Sequence, residues 1–293
     1  MTAVVVALSS ALLWAISSVL FAMSARSLHV IPLNLVRGVV ATAFFWALLP
    51  SYGGIDALRA ISASAWLWIV VSVLGLLVVG DTLYFRAIDL AGVSWAMPVA
   101  SINTIWAVLL AGLLLGEPLT WRLLGGALLV LIGVVLVGWS RPHSTAAHAA
   151  DGRARRLGLL LAVATSLCWG IGQVALKPAT AGVQAVVANG VRMPMGMLMM
   201  LGLTLATGRQ RDLRGLDRRS WGILLLAAFL GTAVGSWLFV IAIQMAGAGR
   251  AAVLTTTSPV LAIPFSYMWL HERPNRWTIA GTLLVTAGIA LVA

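Results

Sequence analysis

Residues 80–138 read GDTLYFRAIDLAGVSWAMPVASINTIWAVLLAGLLLGEPLTWRLLGGALLVLIGVVLVG, and the chain repeats this stretch at residues 235–293 with no gap. One shift of 155 residues (235 less 80) carries Gly80 onto Gly235, Leu83 onto Leu238 and Ala87-Ile88 onto Ala242-Ile243. It carries Ala91-Gly92 onto Ala246-Gly247, Ala96 onto Ala251, Glu117 onto Glu272, and Gly126 and Gly133 onto Gly281 and Gly288. The same shift holds upstream, where Trp14 meets Trp169, Asn34 meets Asn189, Arg37 meets Arg192 and Trp66 meets Trp221. Apolar matches are cheap in a greasy chain, but matched Asn, Arg, Trp and Glu at one constant shift are not. A period this long marks one duplicated half rather than a short solenoid unit.

Hydrophobic residues make up 61% of the chain and charged residues 9%, and mean hydropathy is +1.02. A soluble domain carries about 25% charged residues, so this chain has too few to wet a surface and reads as a multi-span membrane protein. The net charge of +11 does not indicate nucleic acid here, because the Arg residues fall in short loops between apolar runs, where they set topology. Cys168 is the single cysteine, which excludes an intramolecular disulfide. The N-terminus lacks a basic leader and its apolar run is long, so it reads as a retained first span rather than a cleaved signal.

Ten runs are long enough for spanning helices: 3–23, 31–50, 64–86, 93–115, 119–139, 157–177, 183–207, 220–243, 250–270 and 276–293. They do not alternate with period two, so they are helices and not barrel strands. Turn residues punctuate them at Pro50-Ser51-Tyr52-Gly53-Gly54, Gly116-Glu117-Pro118 and His271-Glu272-Arg273-Pro274. The reading divides the chain into a first half at 1–139, a linker at 140–156 and a second half at 157–293. Five spans per half is an odd number, so the second copy enters the membrane in the opposite sense. The expected fold is therefore an all-α membrane protein of ten transmembrane helices, two inverted five-helix repeats around a central cavity. Loops after odd spans carry thirteen Lys/Arg and loops after even spans carry four, namely Arg59, Arg122, Lys177 and Arg250. The rich side faces the cytoplasm, which places both termini on the non-cytoplasmic side.

Arg37 and Arg192 lie inside spans two and seven, where a mid-bilayer charge costs about 2.5–3.5 kcal/mol. Each follows an Asn by three residues, Asn34 and Asn189, so each half presents an Asn/Arg face. Two readings fit: the pair lines a pathway or gate, or each Arg snorkels or pairs with carbonyls to lock packing. Asp81 is the one acid inside a span; it either binds a substrate amine or carries a proton, or it pairs locally or caps a break after Gly80. Its repeat partner is Ser236, so the acid is not symmetric.

Spans four and nine carry small polar clusters with proline, Ser94, Trp95, Pro98, Ser101, Asn103 and Thr104 in one and Thr255, Thr256, Thr257, Ser258, Pro259 and Pro264 in the other. Proline frees a carbonyl, and such breaks are tolerated where neighbours or water satisfy the backbone, so these helices are read as lining a cavity or as helix–helix glue. Trp14 and Trp169 sit mid-span and serve as cavity walls or as packing. The run from Met193 to Met200 offers an adaptable apolar surface. No metal-ligand spacing, nucleotide loop or nucleophile–base pair is present, so neither enzyme activity nor a metal or other cofactor is expected.

With these residues in view, the chain resembles the drug/metabolite transporter superfamily in its ten-span form with two EamA-type halves. The resemblance rests on the two five-span halves and on the stretch from Ala91-Gly92 through Pro98 to Gly116-Glu117-Pro118. Its echo runs through Ala246-Gly247 and Pro259 to Glu272-Arg273-Pro274, and the last span of each half is Gly-rich. It implies export of small metabolites across a bacterial-type inner membrane by a monomer, with amino-acid exporters of the YddG type as the nearest candidate. It also implies a cavity lined by spans one, three, four, six, eight and nine. The implied substrate-binding residues are Trp14, Tyr84, Trp95, Ser101, Asn103, Trp169, Gln244 and Thr256, and the implied gating and charge residues are Asn34, Arg37, Asp81, Asn189 and Arg192. One departure stands out: four-span multidrug relatives use a carboxylate in their first span, whereas spans one and six here hold no acid, which leaves facilitated movement down a gradient open. The alternative function on the same scaffold is export of drugs or organic cations, with Asp81 dominant; a third is a structural or receptor subunit without flux.

Overall fold

The computed structural model describes residues 1–24, 28–139, 152–270 and 275–293. Arg26, residues 140–151 of the linker and the turn His271-Glu272-Arg273-Pro274 lie outside the described residues, as do His143 and His148 and the side chains of Ser94 and Arg214. The described residues form helices and turns and no strand. Nine helices among them are long and apolar enough to cross a membrane: α1 (Thr2–Ser24), α2 (Val30–Tyr52), α3 (Ala63–Ala91), α4 (Trp95–Leu115), α5 (Trp121–Gly138), α6 (Gly152–Ala179), α7 (Ala185–Ala206), α8 (Arg218–Ala246) and α9 (Ala248–Leu270). A tenth apolar helix, α10 (Arg276–Val292), has 17 residues, at the short limit for a span. Leu113 is 79% exposed and Leu160 and Leu283 are each 66% exposed, so this chain turns leucine outward on several helices, as a lipid-facing shell requires.

Helices outrun the apolar windows at several ends. The expected spans 64–86, 157–177 and 220–243 are helical over Ala63–Ala91, Gly152–Ala179 and Arg218–Ala246. Helix continues past Arg86 through Asp89 and takes in Arg153, Arg155 and Arg156, all beyond the apolar windows. Likewise, the turn expected at Pro50–Gly54 is a 3-10 turn, Leu49–Tyr52, followed by a short helix, Gly54–Arg59. Arg59 closes that helix with an exposed Asp56 contact of 3.2 Å.

Irregularities recur at corresponding places in the two halves. Helix α3 opens into π-helical turns over Leu74–Val78 and α8 over Phe229–Gly235. Their starts differ by the repeat shift. Each marks a close approach. A Cβ on Gly80 would stand 2.5 Å from Trp169 Cδ1, and one on Gly235 would stand 2.9 Å from Trp14 Cδ1. Then Gly92 and Gly247, with φ of 80° and 88°, turn the chain from α3 into α4 and from α8 into α9. Such φ values favour glycine. Helix α4 breaks after Ala100 and α9 after Thr255, again one repeat apart. Pro98 lies before the first break and Pro259 after the second, so the break position is conserved between halves while the proline is not.

The halves are interwoven. Helix α1 packs on α8, and α6 packs on α3 and α4. Ser10 Oγ donates to the Gly235 carbonyl at 2.8 Å and Ser17 Oγ to the Ala227 carbonyl at 2.8 Å. Helices α5 and α10 run antiparallel, with Gly126 against Gly288 and Gly133 against Gly281. Glycines allow this backbone-to-backbone approach.

Candidate functional site

A cavity of ≈ 420 Å³ lies between α1, α3, α4, α6, α8 and α9, the spans the resemblance implies, and α2 (Val30, Arg37), α5 (Val134) and α7 (Arg192, Met193) line it as well. It runs from mid-depth toward one end, where Val30, Phe85, Met97 and Val134 line it. Those residues adjoin the loops after α1, α3 and α5, the arginine-rich end. At the opposite end α4 and α9 close on each other, with Val108, Ala111, Ala252 and Leu254 in the buried core.

Polar side chains reach the cavity in linked sets. Arg37 Nη1 donates to Asn34 Oδ1 at 2.7 Å and its Nε to Thr232 Oγ1 at 3.0 Å. Arg192 repeats the arrangement, donating to Asn189 Oδ1 at 2.7 Å and to Ser72 Oγ at 3.0 Å. Asn34 Nδ2 then donates to Asp81 Oδ2 at 3.1 Å, and Trp169 Nε1 donates to Asp81 Oδ1 at 3.2 Å. Asn34 thus bridges a guanidinium and a carboxylate. A buried charge is tolerated when so linked to an opposite one; Arg192 bonds neutral groups alone among the described residues.

Aromatic rings form the walls in two matched pairs. Trp14 lies 5.1 Å from Phe239 at 53° and Trp169 lies 4.9 Å from Tyr84 at 52°. The repeat shift carries Tyr84 onto Phe239 and Trp14 onto Trp169, so each half's indole packs on the other half's ring. The floor is the pair of helix breaks. Thr256 Oγ1 donates to the Ala252 carbonyl at 2.8 Å and meets Thr104 Oγ1 at 2.6 Å across the halves.

Of the residues singled out in the sequence, Trp14, Tyr84, Ser101, Asn103, Trp169, Thr256, Arg37, Asp81 and Arg192 line this cavity. Asn34 lines a small adjoining pocket, and Asn189 is fully buried behind Arg192. Two residues lie elsewhere. Trp95 is exposed, with the Arg155 guanidinium 4.1 Å over its ring. Gln244 Nε2 donates to the Thr180 and Val183 carbonyls at 3.2 and 2.8 Å, fastening α8 to the end of α6. The reading of Asp81 as capping a break after Gly80 is also corrected, since both its oxygens accept from side chains.

Gln173 belongs to the site although the sequence reading does not single it out. It lines the cavity, and its buried Oε1 has no hydrogen-bond partner. It lies four residues after Trp169 on the same helix face, and a lone amide in mid-span was the available signal. Phe239 is distinguished among the phenylalanines only by its repeat relation to Tyr84.

A lipid-facing helical shell around a charged, aromatic-walled chamber defines a polytopic membrane protein of the solute-carrying kind. The profile of the EamA-like transporter family matches residues 1–139 and 156–293, and the chain belongs to that family. An uncharacterised transporter of Archaeoglobus fulgidus is 23% identical over 293 residues, covering 100% of this chain and 98% of the relative. The uncharacterised transporter YvbV of Bacillus subtilis is 23% identical over 205 residues, 68% of this chain and 67% of the relative. A solved crystal structure superposes with a TM-score of 0.79 at 21% identity, covering 99% of this chain and 95% of that one, which establishes likeness of fold.

Proposed function

We propose that the protein exports amino acids, aromatic and apolar ones included, or similar small metabolites across a bacterial-type inner membrane by alternating access. The observation that carries this reading is the composition of the cavity. Its ≈ 420 Å³ lies within the roughly 300–1,000 Å³ usual for ligand pockets. It holds Arg37 and Arg192 for a carboxylate, Asp81 for an ammonium group, and the Trp14–Phe239 and Trp169–Tyr84 walls for an apolar side chain. Gln173 Oε1 supplies a further acceptor for the ammonium. Ser101, Asn103 and Thr256 line the floor and set the depth.

In this reading residues 1–139 and 157–293 are two inverted five-helix halves joined by 140–156. Support comes from contacts that exchange under the repeat shift. The pair Gly133–Gly281 becomes Gly288–Gly126, and Trp14–Phe239 becomes Trp169–Tyr84, as a two-fold axis relating the halves requires. Five spans per half put that axis in the membrane plane, and rocking of the halves about it moves the opening from one face to the other. The arginine-rich end is cytoplasmic and both termini are not, so the cavity reaches the loading face of an exporter. The unit is a monomer.

The test is counterflow of labelled phenylalanine, leucine and lysine into proteoliposomes, with tetraphenylphosphonium as the organic cation. Saturable flux of an amino acid above empty liposomes supports the reading. Flux of tetraphenylphosphonium alone replaces it with cation export through Asp81, and no flux of any solute refutes it.

A further inference from the structure

A second cavity of ≈ 430 Å³ lies at the end away from the central chamber and shares no lining residue with it. The turn after α4, the start of α5 and the facing ends of α6, α8, α9 and α10 enclose it. Three cations, Arg122, Lys177 and Arg250, line it. The loops at this end of the chain carry four Lys/Arg in all, so three of the four converge on one hollow. The duplication does not demand them: the repeat shift pairs Arg122 with Trp277, Lys177 with Ala22 and Arg250 with Trp95. A fold requirement common to both halves therefore does not account for the cluster.

The cations are held chiefly by backbone oxygens, and Arg250 also bonds the Ala293 oxygen through Nη2. Lys177 Nζ donates to the Ile243 and Gln244 carbonyls at 3.0 and 2.9 Å, and Arg250 Nε donates to the Val292 carbonyl at 2.8 Å. The Arg122 guanidinium lies 5.6 Å over the Trp121 ring. Glu117 is the only carboxylate side chain on the lining, and both its oxygens are taken up by backbone N–H groups, Ala248 at 2.7 Å and Gly249 at 3.0 Å. Three cations against the one carboxylate side chain on the lining leave the hollow net positive, which favours an anion.

We propose that this cavity binds a phosphate-type oxyanion, either the headgroup of an anionic phospholipid or a free phosphate. Trp121 at the rim, 70% exposed, and Leu119, 43% exposed, offer apolar surface for an acyl chain at the interface. The site is independent of the export reading.

The test is native mass spectrometry of the detergent-solubilised full chain with added phosphatidylglycerol, alongside thermal unfolding in inorganic phosphate. Retention of one phosphatidylglycerol, falling about tenfold in Arg122→Gln as loss of one charge-assisted bond implies, assigns a lipid headgroup. A phosphate-dependent rise in unfolding temperature that Arg122→Gln abolishes, without lipid retention, assigns a free anion. Arg122 holds no backbone carbonyl, so this variant spares the contacts of Lys177 and Arg250; Arg250→Gln serves as the second variant. Retention equal in wild type and both variants, or no response to either probe in wild type, overturns the proposal.

Discussion

Trp169 donates its indole N–H to Asp81 Oδ1 at 3.2 Å, whereas its repeat counterpart Trp14 donates to the backbone carbonyl of Gly231 at 3.0 Å. The two tryptophans otherwise match, each packed on the other half's ring. The chamber is thus two-fold in its walls and its arginines and one-fold in its acid.

Replacing Asp81 by Asn keeps the shape and removes the negative charge, and its single amide oxygen can accept from only one of Trp169 and Asn34. Flux of a zwitterionic amino acid is expected to fall roughly ten- to a hundredfold, the range for losing one charged hydrogen bond. Competition by the matching α-keto acid, which has no ammonium group, is expected to be unchanged. Competition assays in proteoliposomes check both.

Arg192 is buried and satisfies Asn189 Oδ1 and Ser72 Oγ. Truncation to Ala strands the Asn189 amide, so unfolding in detergent is expected to shift by about 1–3 kcal/mol, with loss of flux. Arg192→Lys retains a charge but not the fork, and is expected to recover stability more than transport.

Gly80 leaves no room beside Trp169, and a methyl there also meets the Gly75 carbonyl. Gly80→Ala is expected to cost about 1–3 kcal/mol by overpacking. Gly202, which has nothing within 4 Å of its would-be Cβ, is the control: Gly202→Ala is expected to be neutral or to stabilise by up to about 1 kcal/mol through helix propensity. Thermal unfolding of the two variants in parallel checks the contrast.

His29 caps α2 by accepting from the Ile31 N–H at 3.3 Å. Desolvation and the nearby Arg209 hold its pKa below the usual 6.5. The neutral ring is therefore the form the fold prefers. Stability from this cap is full above about pH 6.5 and declines as pH falls below it, because the unfolded chain takes up the proton first. His29→Asn, which caps without titrating, is expected to flatten unfolding temperature between pH 7 and 5.

Much of this architecture was legible in the sequence because polar residues obeyed one shift. Asn34/Arg37 and Asn189/Arg192 share helix faces by spacing alone, and both pairs are hydrogen-bonded. Trp14 and Trp169 line the cavity as mid-span aromatics. What stayed hidden depended on rotation about a helix axis. Trp95 and Ser101 belong to one polar cluster, yet the turn of the helix leaves Trp95 outside and puts Ser101, with Met97, inside. Gln244 is as polar as Gln173, but it sits at a helix end where free carbonyls claim it, while Gln173 sits at mid-depth where none does. Glu117 reads as a turn residue, and its work as a cap on the N-terminus of α9 requires knowing that the halves interlock.

Export through this chamber requires α4 and α9 to part at the closed end. A Cβ on Gly249 would lie 3.6 Å from Ala111 Cβ, within the 3.5–4.5 Å a disulfide spans. The decisive measurement is labelled amino-acid flux through the Ala111→Cys, Gly249→Cys pair in a Cys168→Ser background, oxidised and then reduced. Flux abolished by oxidation and restored by reduction is the predicted result; equal flux with the cross-link intact contradicts it.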